Sequence, residues 1–411
     1  MSNLNTEATQ SSLAHDTVKQ SGLIFFLLVL MGVMSQFASD NFLPSLPYIA
    51  LDLHTSSSIA KLSIGLYFLG VCASTLIYGP LSDSYGRRRV LLFGFGIFIA
   101  GCFLVATTHS ITQLLLGRVV QAAGIGASSA LFRVIMRDVY AGKQLAKVGS
   151  YLGMAFAIVP PLAPITGGYI QEHIGWRANF ILLLILSLIL TVFIAVMLPE
   201  TLKVIHRRSR SIKEVILVYF GLLSHRQFLG YVACSGLAFA NIMVYVTASP
   251  FLFQHTLKLS PVKFGWLAPF ITLSYLLGAM FNVKLLNYYS SRQLLRLAGI
   301  VMITGGIAML AFGLAGVLNV SVIIIPLMLI SGANGFVFSN AFACAFEPMP
   351  EAAGIAGALY SSLQTMTAGV ASALAALIPT HNQIILASTL TGMSLLFVFT
   401  VNFILKINRH A

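Results

Sequence analysis

Residues 22–49, GLIFFLLVLMGVMSQFASDNFLPSLPYI, form a long apolar run that carries a single carboxylate, Asp40, shortly before Pro44 and Pro47. A run of this length spans a bilayer, which needs about 20 mostly apolar residues. An ionisable side chain inside such a run is costly and marks a working site. The rest of the chain has the same character: of 411 residues 58% are hydrophobic and 9% charged, with a mean hydropathy of +0.90. About twelve such segments follow one another, starting near residues 22, 60, 90, 112, 144, 178, 227, 262, 296, 320, 353 and 383. These lengths indicate an all-α membrane protein, a helical bundle and not a barrel.

The first run follows a polar tail with no cleavage site or lipidation motif, so it reads as an uncleaved span. The formal charge of +13 invites a nucleic-acid reading, but its distribution argues otherwise. Arg87, Arg88, Arg89, Arg133, Arg137, Lys143, Lys147, Lys203, Arg207, Arg208, Arg210, Lys213, Arg226, Lys284, Arg292, Arg296, Lys406 and Arg409 lie on alternate connections or the carboxy-terminal tail. The other connections hold little beyond Lys61, Arg177, Lys258 and Lys263. Lys and Arg are retained on the cytoplasmic side, which puts both termini inside. The basicity is topological, and no nucleic-acid partner is expected.

Cys72, Cys102, Cys234 and Cys344 all fall in expected spans without CxxC spacing, so they read as small packing residues. The nine histidines show no HExxH pattern, which leaves metal chemistry unsupported. No Walker loop occurs, and nothing resembles a catalytic constellation. No cofactor, metal or catalytic residue is therefore expected, and the partners are small molecules, protons and membrane lipid.

The second span ends in GPLSDSYGRRR, residues 79–89. This loop resembles the signature between helices two and three of the major facilitator superfamily, matched by Gly79, Leu81, Asp83, Gly86, Arg87 and Arg88, with Ser82 in place of the usual alanine. The fourth span carries Arg118, Gln121, Gly124 and Gly126, which look like the superfamily's fourth-helix pattern with Ala122 for the first glycine. The fifth reads YLGMAFAIVPPLAPITGGYI. With Pro160, Pro164, Gly167 and Gly168 it resembles the helix-five motif of proton-driven antiporters, Ala163 standing where a glycine would be. Together with Leu198-Pro-Glu-Thr-Leu202, SPFLFQ and EPMPEAAGIAGAL, the likeness covers nearly the whole chain and points to the bicyclomycin-resistance/CflA branch of drug exporters.

The resemblance implies two six-helix bundles in the inner membrane, and a monomer. The boundaries read as a cytoplasmic tail at 1–21, an amino-terminal bundle at 22–202, a linker at 203–226, a carboxy-terminal bundle at 227–405 and a tail at 406–411. Within the linker, Ser211-Ile-Lys-Glu214 is a capping-box pattern that opens an interfacial helix. Tyr67-Phe-Leu-Gly70 and Tyr275-Leu-Leu-Gly278 form a weak internal echo. Such symmetry belongs to transporter folds whose site lies between the repeats.

Asp40 is the natural proton carrier, because a carboxylate in low dielectric favours its neutral form while a nearby arginine favours the charged one. If helix one continues to about Ile49, Asp40 lies roughly 14 Å below its outer end at 1.5 Å per residue. Arg118 lies at a similar depth, and Gln36 and Gln121 share their faces. If the helix stops before Pro44, Asp40 is merely an acid at a helix end. Asp83, Asp138, Glu200, Glu214, Glu347 and Glu351 fall at cytoplasmic ends, and Asp52 and Glu172 at outer ones. The second half offers only neutral or aromatic candidates for a cavity: Asn241, Tyr245, Tyr275, Asn282, Asn340, Tyr360 and Gln364. Resemblance further implies a cytoplasmic gate of Asp83, Arg87 and Asp138, residues that link helices in the outward-open state.

The expected function is secondary transport by alternating access, with proton-coupled export of small lipophilic compounds as the leading form. A proton symporter, or a dedicated metabolite or siderophore exporter on the same fold, is the alternative. A membrane receptor or enzyme is disfavoured by the short connections.

Overall fold

The computed structural model describes residues 22–202, 219–347, 353–379 and 382–407. Among them run twelve long helices and no strand: α1 Gly22–Asp52, α2 Ser57–Tyr85, α3 Arg87–Ala106, α4 Ile111–Val139, α5 Gly142–His173, α6 Trp176–Met197, α7 Arg226–Thr256, α8 Pro261–Leu285, α9 Ser291–Leu314, α10 Val320–Phe346, α11 Ala353–Ala376 and α12 Gln383–Ile407. Eleven are long and apolar enough to cross a membrane. The other, α11, carries no charged residue but is diluted by Gly, Ser and Thr. The expected segment starts are all found within a few residues. The tail at 1–21, the capping box at Ser211 and Glu214, Glu351 and the end of the chain after Ile407 lie outside the described residues.

Helix starts follow local chemistry. Ser56, Ser110, Ser260 and Asn319 each accept a backbone N–H three residues on, at 3.0–3.3 Å. Each such cap stabilises its helix by about 1 kcal/mol. Pro261 follows Ser260 at the first helical position, where its missing N–H costs nothing. Ser290 and Gln293 complete a reciprocal capping box on α9.

The two sets of six helices pack in parallel ways. In the first, α4 touches α2 and α3, and α3 touches α6; in the second, α10 touches α8 and α9, and α9 touches α12. Gly70 meets Ala122 where α2 crosses α4, and Gly278 meets the Gly332 carbonyl where α8 crosses α10. The echo between Tyr67–Gly70 and Tyr275–Gly278 thus corresponds to the same helix crossing in both halves. Between the halves, α2 packs on α11 and α5 on α8. These two pairs exchange under the repeat that relates α2 to α8 and α5 to α11.

Contacts between the halves crowd the helix ends opposite the basic loops. The Lys61 ammonium donates to the Ile378 carbonyl at 3.0 Å, the Gln254 amide to the Pro44 carbonyl at 3.0 Å, and the Val262 N–H to Glu172 at 3.2 Å. Gly168 abuts the Pro261 carbonyl, and Gly65 abuts Ala373. Further along, Thr75 bonds Ser362 at 3.2 Å, and Arg133 reaches Ser361 at 3.1 Å nearest the basic ends. The sequence reading puts Lys61 on a connection, but it sits inside α2 with 0% exposure. Its hydrocarbon stem continues the apolar helix, and a charge near a loop in sequence is a poor guide to which face of the helix it occupies.

Candidate functional site

The end of α1 decides where Asp40 lies. Pro44 has no N–H to give the Asp40 carbonyl, and Pro47 none to give that of Leu43. The α-helix accordingly opens into a turn at Asn41 and Phe42, tightens into a 3₁₀ turn at Leu43–Ser45, and resumes over Leu46–Asp52. The span therefore continues past Pro44 as a broken helix. Asp40 sits at an internal break, the kind of irregular backbone that membrane helices tolerate where protein or a cavity surrounds it.

The break is clamped from two sides. The Asn41 amide donates to the Asn179 side chain on α6 at 3.0 Å, and Asn179 in turn donates to Ser45 at 2.9 Å and to the Gly167 carbonyl at 3.3 Å. A Cβ at Gly167 would overlap the Asn41 carbonyl, so this position requires glycine. Pro160, Pro161 and Pro164 lie inside an otherwise continuous α5. The helix-five motif thus has two contacts: Gly167 receives the broken turn of α1, and Gly168 receives the second half at Pro261.

Asp40 is half-buried and accepts from the Ser39 hydroxyl at 2.7 Å. Arg118 is wholly buried, and its guanidinium lies between the rings of Phe42 and Tyr67, 4.2 and 4.0 Å from their centroids. It donates to Gln121 at 2.8 Å and to the Ala38 carbonyl at 3.4 Å, while Nε and Nη2 have no hydrogen-bond partner. Arg118 thus reaches α1 two residues before Asp40, yet no ion pair joins the two within 4 Å. The sequence suggests a meeting of the two; in the structure no bond joins them, and the cation is held by aromatic faces with Nε and Nη2 to spare.

Gln121 is spent on Arg118 and on the Cys102 thiol. Gln36 is half-buried one turn before Asp40. In the second half, Asn340 donates to Asn282 at 2.6 Å and Asn282 to Ser339 at 3.0 Å, so these two amides join α8 to α10. Gln364 bonds Ser235 at 2.7 Å, and Tyr360 lies buried among Phe228, Phe342 and Phe346. Those four make contacts between helices. Asn241 is buried with its amide unpartnered, and Tyr245 and Tyr275 are half-buried.

Tyr275 ends a chain of ring contacts that the sequence does not reveal. Tyr67 meets Phe68 at 5.9 Å, Phe68 meets Phe239 across the halves at 6.0 Å, Phe239 meets Phe338 at 6.3 Å, and Phe338 meets Tyr275 at 6.1 Å. Phe68, Phe239 and Phe338 are half-buried. Aromatic residues are abundant in the spans, and only the fold singles out those that line up from the Arg118 cage to the far half.

At the basic ends, Gly86 turns the chain with φ +97°, a conformation that favours glycine, and a Cβ there would strike the Glu200 carboxylate. That carboxylate accepts the Arg87 N–H at 2.9 Å and so sits on the start of α3. The buried Arg87 guanidinium contacts Asp83 at 2.5 Å, Asp138 at 3.0 Å and Ser82 at 2.6 Å. The serine that departs from the usual alanine is thus an added acceptor. Arg88 donates to the Ala195 carbonyl, and Gly79 has open space around it. All these partners lie in the first half of the chain, Glu200 just after α6, and the pairs are formed while the halves touch at the opposite face. Glu200, which the sequence places at a cytoplasmic helix end and nothing more, is the member of this cluster that sequence reasoning misses.

A family model described as the Major Facilitator Superfamily matches residues 28–376. The chain belongs to the major facilitator superfamily. It is 31% identical over 375 residues to multidrug resistance protein D of Escherichia coli, covering 91% of this chain and 94% of that one. It is 25% identical over 362 residues to a bicyclomycin resistance protein homolog of Haemophilus influenzae, covering 87% and 91%. Among solved structures, the peptide transporter POT in complex with sulfate superposes with a TM-score of 0.73 at 15% identity, covering 94% of each chain. The xylose transporter XylE from Escherichia coli, in a partially occluded inward-open conformation, does so with a TM-score of 0.67 at 14% identity, covering 93% and 97%. This superfamily member is a multi-pass inner-membrane transporter.

Proposed function

We propose that this transporter exports small, largely lipophilic compounds in exchange for protons. The resistance proteins among its relatives favour that cargo, and the half-buried rings of Phe68, Phe239, Phe338 and Tyr275 offer a surface for it. The observation that carries the coupling is the arrangement at the break in α1, where a caged guanidinium reaches the Ala38 carbonyl two residues before Asp40 and does not pair with the carboxylate. Arg118 keeps a donor-rich positive charge against this turn of α1, with Nε and Nη2 unbonded and no salt bridge consuming the carboxylate. Substrate arriving from the cytoplasmic side and a proton arriving from outside each favour a different facing of the two halves. With the basic ends in the cytoplasm, the contacts at Lys61, Gln254 and Glu172 describe a conformer closed toward the outside.

The test is a pH gradient in energised everted vesicles, whose lumen is acid. Addition of a transported compound to vesicles carrying this protein collapses the gradient, and vesicles without it show no collapse. Transport of the compound with no change in the gradient overturns proton antiport.

A further inference from the structure

Lys61 is a charged group in the membrane domain that neither the proton site nor the basic-end cluster uses. It is 0% exposed, and its ammonium has one hydrogen bond, to the Ile378 carbonyl at 3.0 Å. The Phe251 ring centroid lies 5.6 Å away. No carboxylate lies within 4 Å of it among the described residues. Ile378 follows the last turn of α11, whose free carbonyls carry partial negative charge. Lys61 therefore spans the seam between the halves and is stripped of water by the contact that closes it. Nearby, Gly65 meets Ala373 and Gly369 meets Leu69, so backbone and hydrocarbon line this part of the seam.

Two effects of opposite sign act here. The charged hydrogen bond, the Phe251 ring and the helix end favour the closed seam, whereas loss of hydration from an ammonium with three donors and one acceptor disfavours it. Removing a charge from water outweighs a single hydrogen bond and a partial helix charge unless the remaining donors are satisfied. Desolvation therefore wins. The exposed Glu172, which accepts the Val262 N–H at 3.2 Å at the start of α8, is the opposite case, since it keeps its water and simply joins the halves.

We infer that Lys61 is a positioning residue for transport that loads the closed outer seam with an under-bonded charge and so biases that seam to open. The bias needs only alternating exposure and stands whether or not Asp40 carries the proton. It makes the closed state leave readily, which a transporter requires at every turnover.

The experiment places spin labels at His109→Cys and Leu318→Cys, exposed positions on outer turns of the two halves, in a background where the four native cysteines are replaced by serine. Distances are measured in proteoliposomes for Lys61, Lys61→Met and Lys61→Arg, with thermal stability alongside. Lys61→Met is expected to lower the ratio of open to closed populations about tenfold, to raise the unfolding temperature and to slow transport; Lys61→Arg restores the distribution. Glu172→Gln shifts the same ratio slightly the other way. If Lys61→Met opens the seam, lowers stability or leaves the distribution unchanged, the lysine is an anchor or a bystander and the inference fails. A Lys61→Met protein that does not fold overturns it as well, because removal of an unfavourable charge should not prevent folding.

Discussion

In the first half of the molecule, the turn between α2 and α3 is tied to the foot of α4 by Arg87 and Asp138 at 3.0 Å, with the arginine side chain 7% exposed. In the second half, the corresponding turn between α8 and α9 is tied to the foot of α10 by Arg292 and Glu347 at 3.5 Å, with side chains 39% and 63% exposed. The same crossing carries a buried, multiply bonded ion pair on one side and a loose surface pair on the other. The contrast recurs at mid-membrane. Counted from the Gly70–Ala122 and Gly278–Gly332 contacts at the matching crossing, the counterpart of Arg118 is Met328 and that of Gln121 is Ser331. Ionisable groups are therefore concentrated in the first six helices, and the second six use neutral amides and rings. This teaches that the repeat preserves helix packing and does not duplicate the chemistry, so the charged groups and the neutral contacts fall in different halves.

Breaking the charged side should have the largest effect. Arg118→Lys is expected to abolish gradient-driven transport, because an ammonium cannot fill the flat slot between Phe42 and Tyr67 while still bonding Gln121; transport by the variant at the parental rate contradicts the cage. Asp138→Asn leaves the buried Arg87 with the half-exposed Asp83 as its carboxylate partner, and a destabilisation of about 1–3 kcal/mol is expected, below the roughly 3–5 kcal/mol of a fully buried pair. Gly167→Ala forces the Asn41 turn to shift and should cost about 1–3 kcal/mol, read as lowered thermal stability together with lost transport. The neutral side sharpens the comparison. Asn340→Ala should cost only about 0.6 kcal/mol and leave proton coupling intact, since its amide serves Asn282. Glu347→Gln is expected to be smallest, between about 0 and 1 kcal/mol; a loss equal to that of Asp138→Asn erases the asymmetry between the halves.

The helices and their order are legible in the sequence because apolar length and basic loops are local signals. Asp40, Arg118 and the 79–89 loop are legible too, since charges inside apolar runs and spaced glycines stand out. Partners are harder to see. Asn41 and Asn179 are far apart in the chain, and nothing local says that one clamps the other. Phe42 and Tyr67 look like any aromatic in a membrane helix until the fold stacks them on Arg118. Lys61 is misplaced by sequence alone because hydropathy averages over a window and cannot show which way one side chain faces. Asn282, Asn340 and Gln364 are sensible cavity candidates by type, and the structure occupies them with helix contacts because buried amides in lipid find partners wherever neighbouring helices provide them.

The central claim, that the carboxylate at the break in α1 carries the transported proton, is tested most directly by Asp40→Asn in vesicles assayed for both gradient-driven accumulation and substrate exchange. The account predicts that the variant inserts, exchanges substrate across the membrane and no longer accumulates it against a gradient. Accumulation by Asp40→Asn at the level of the parent protein would contradict it.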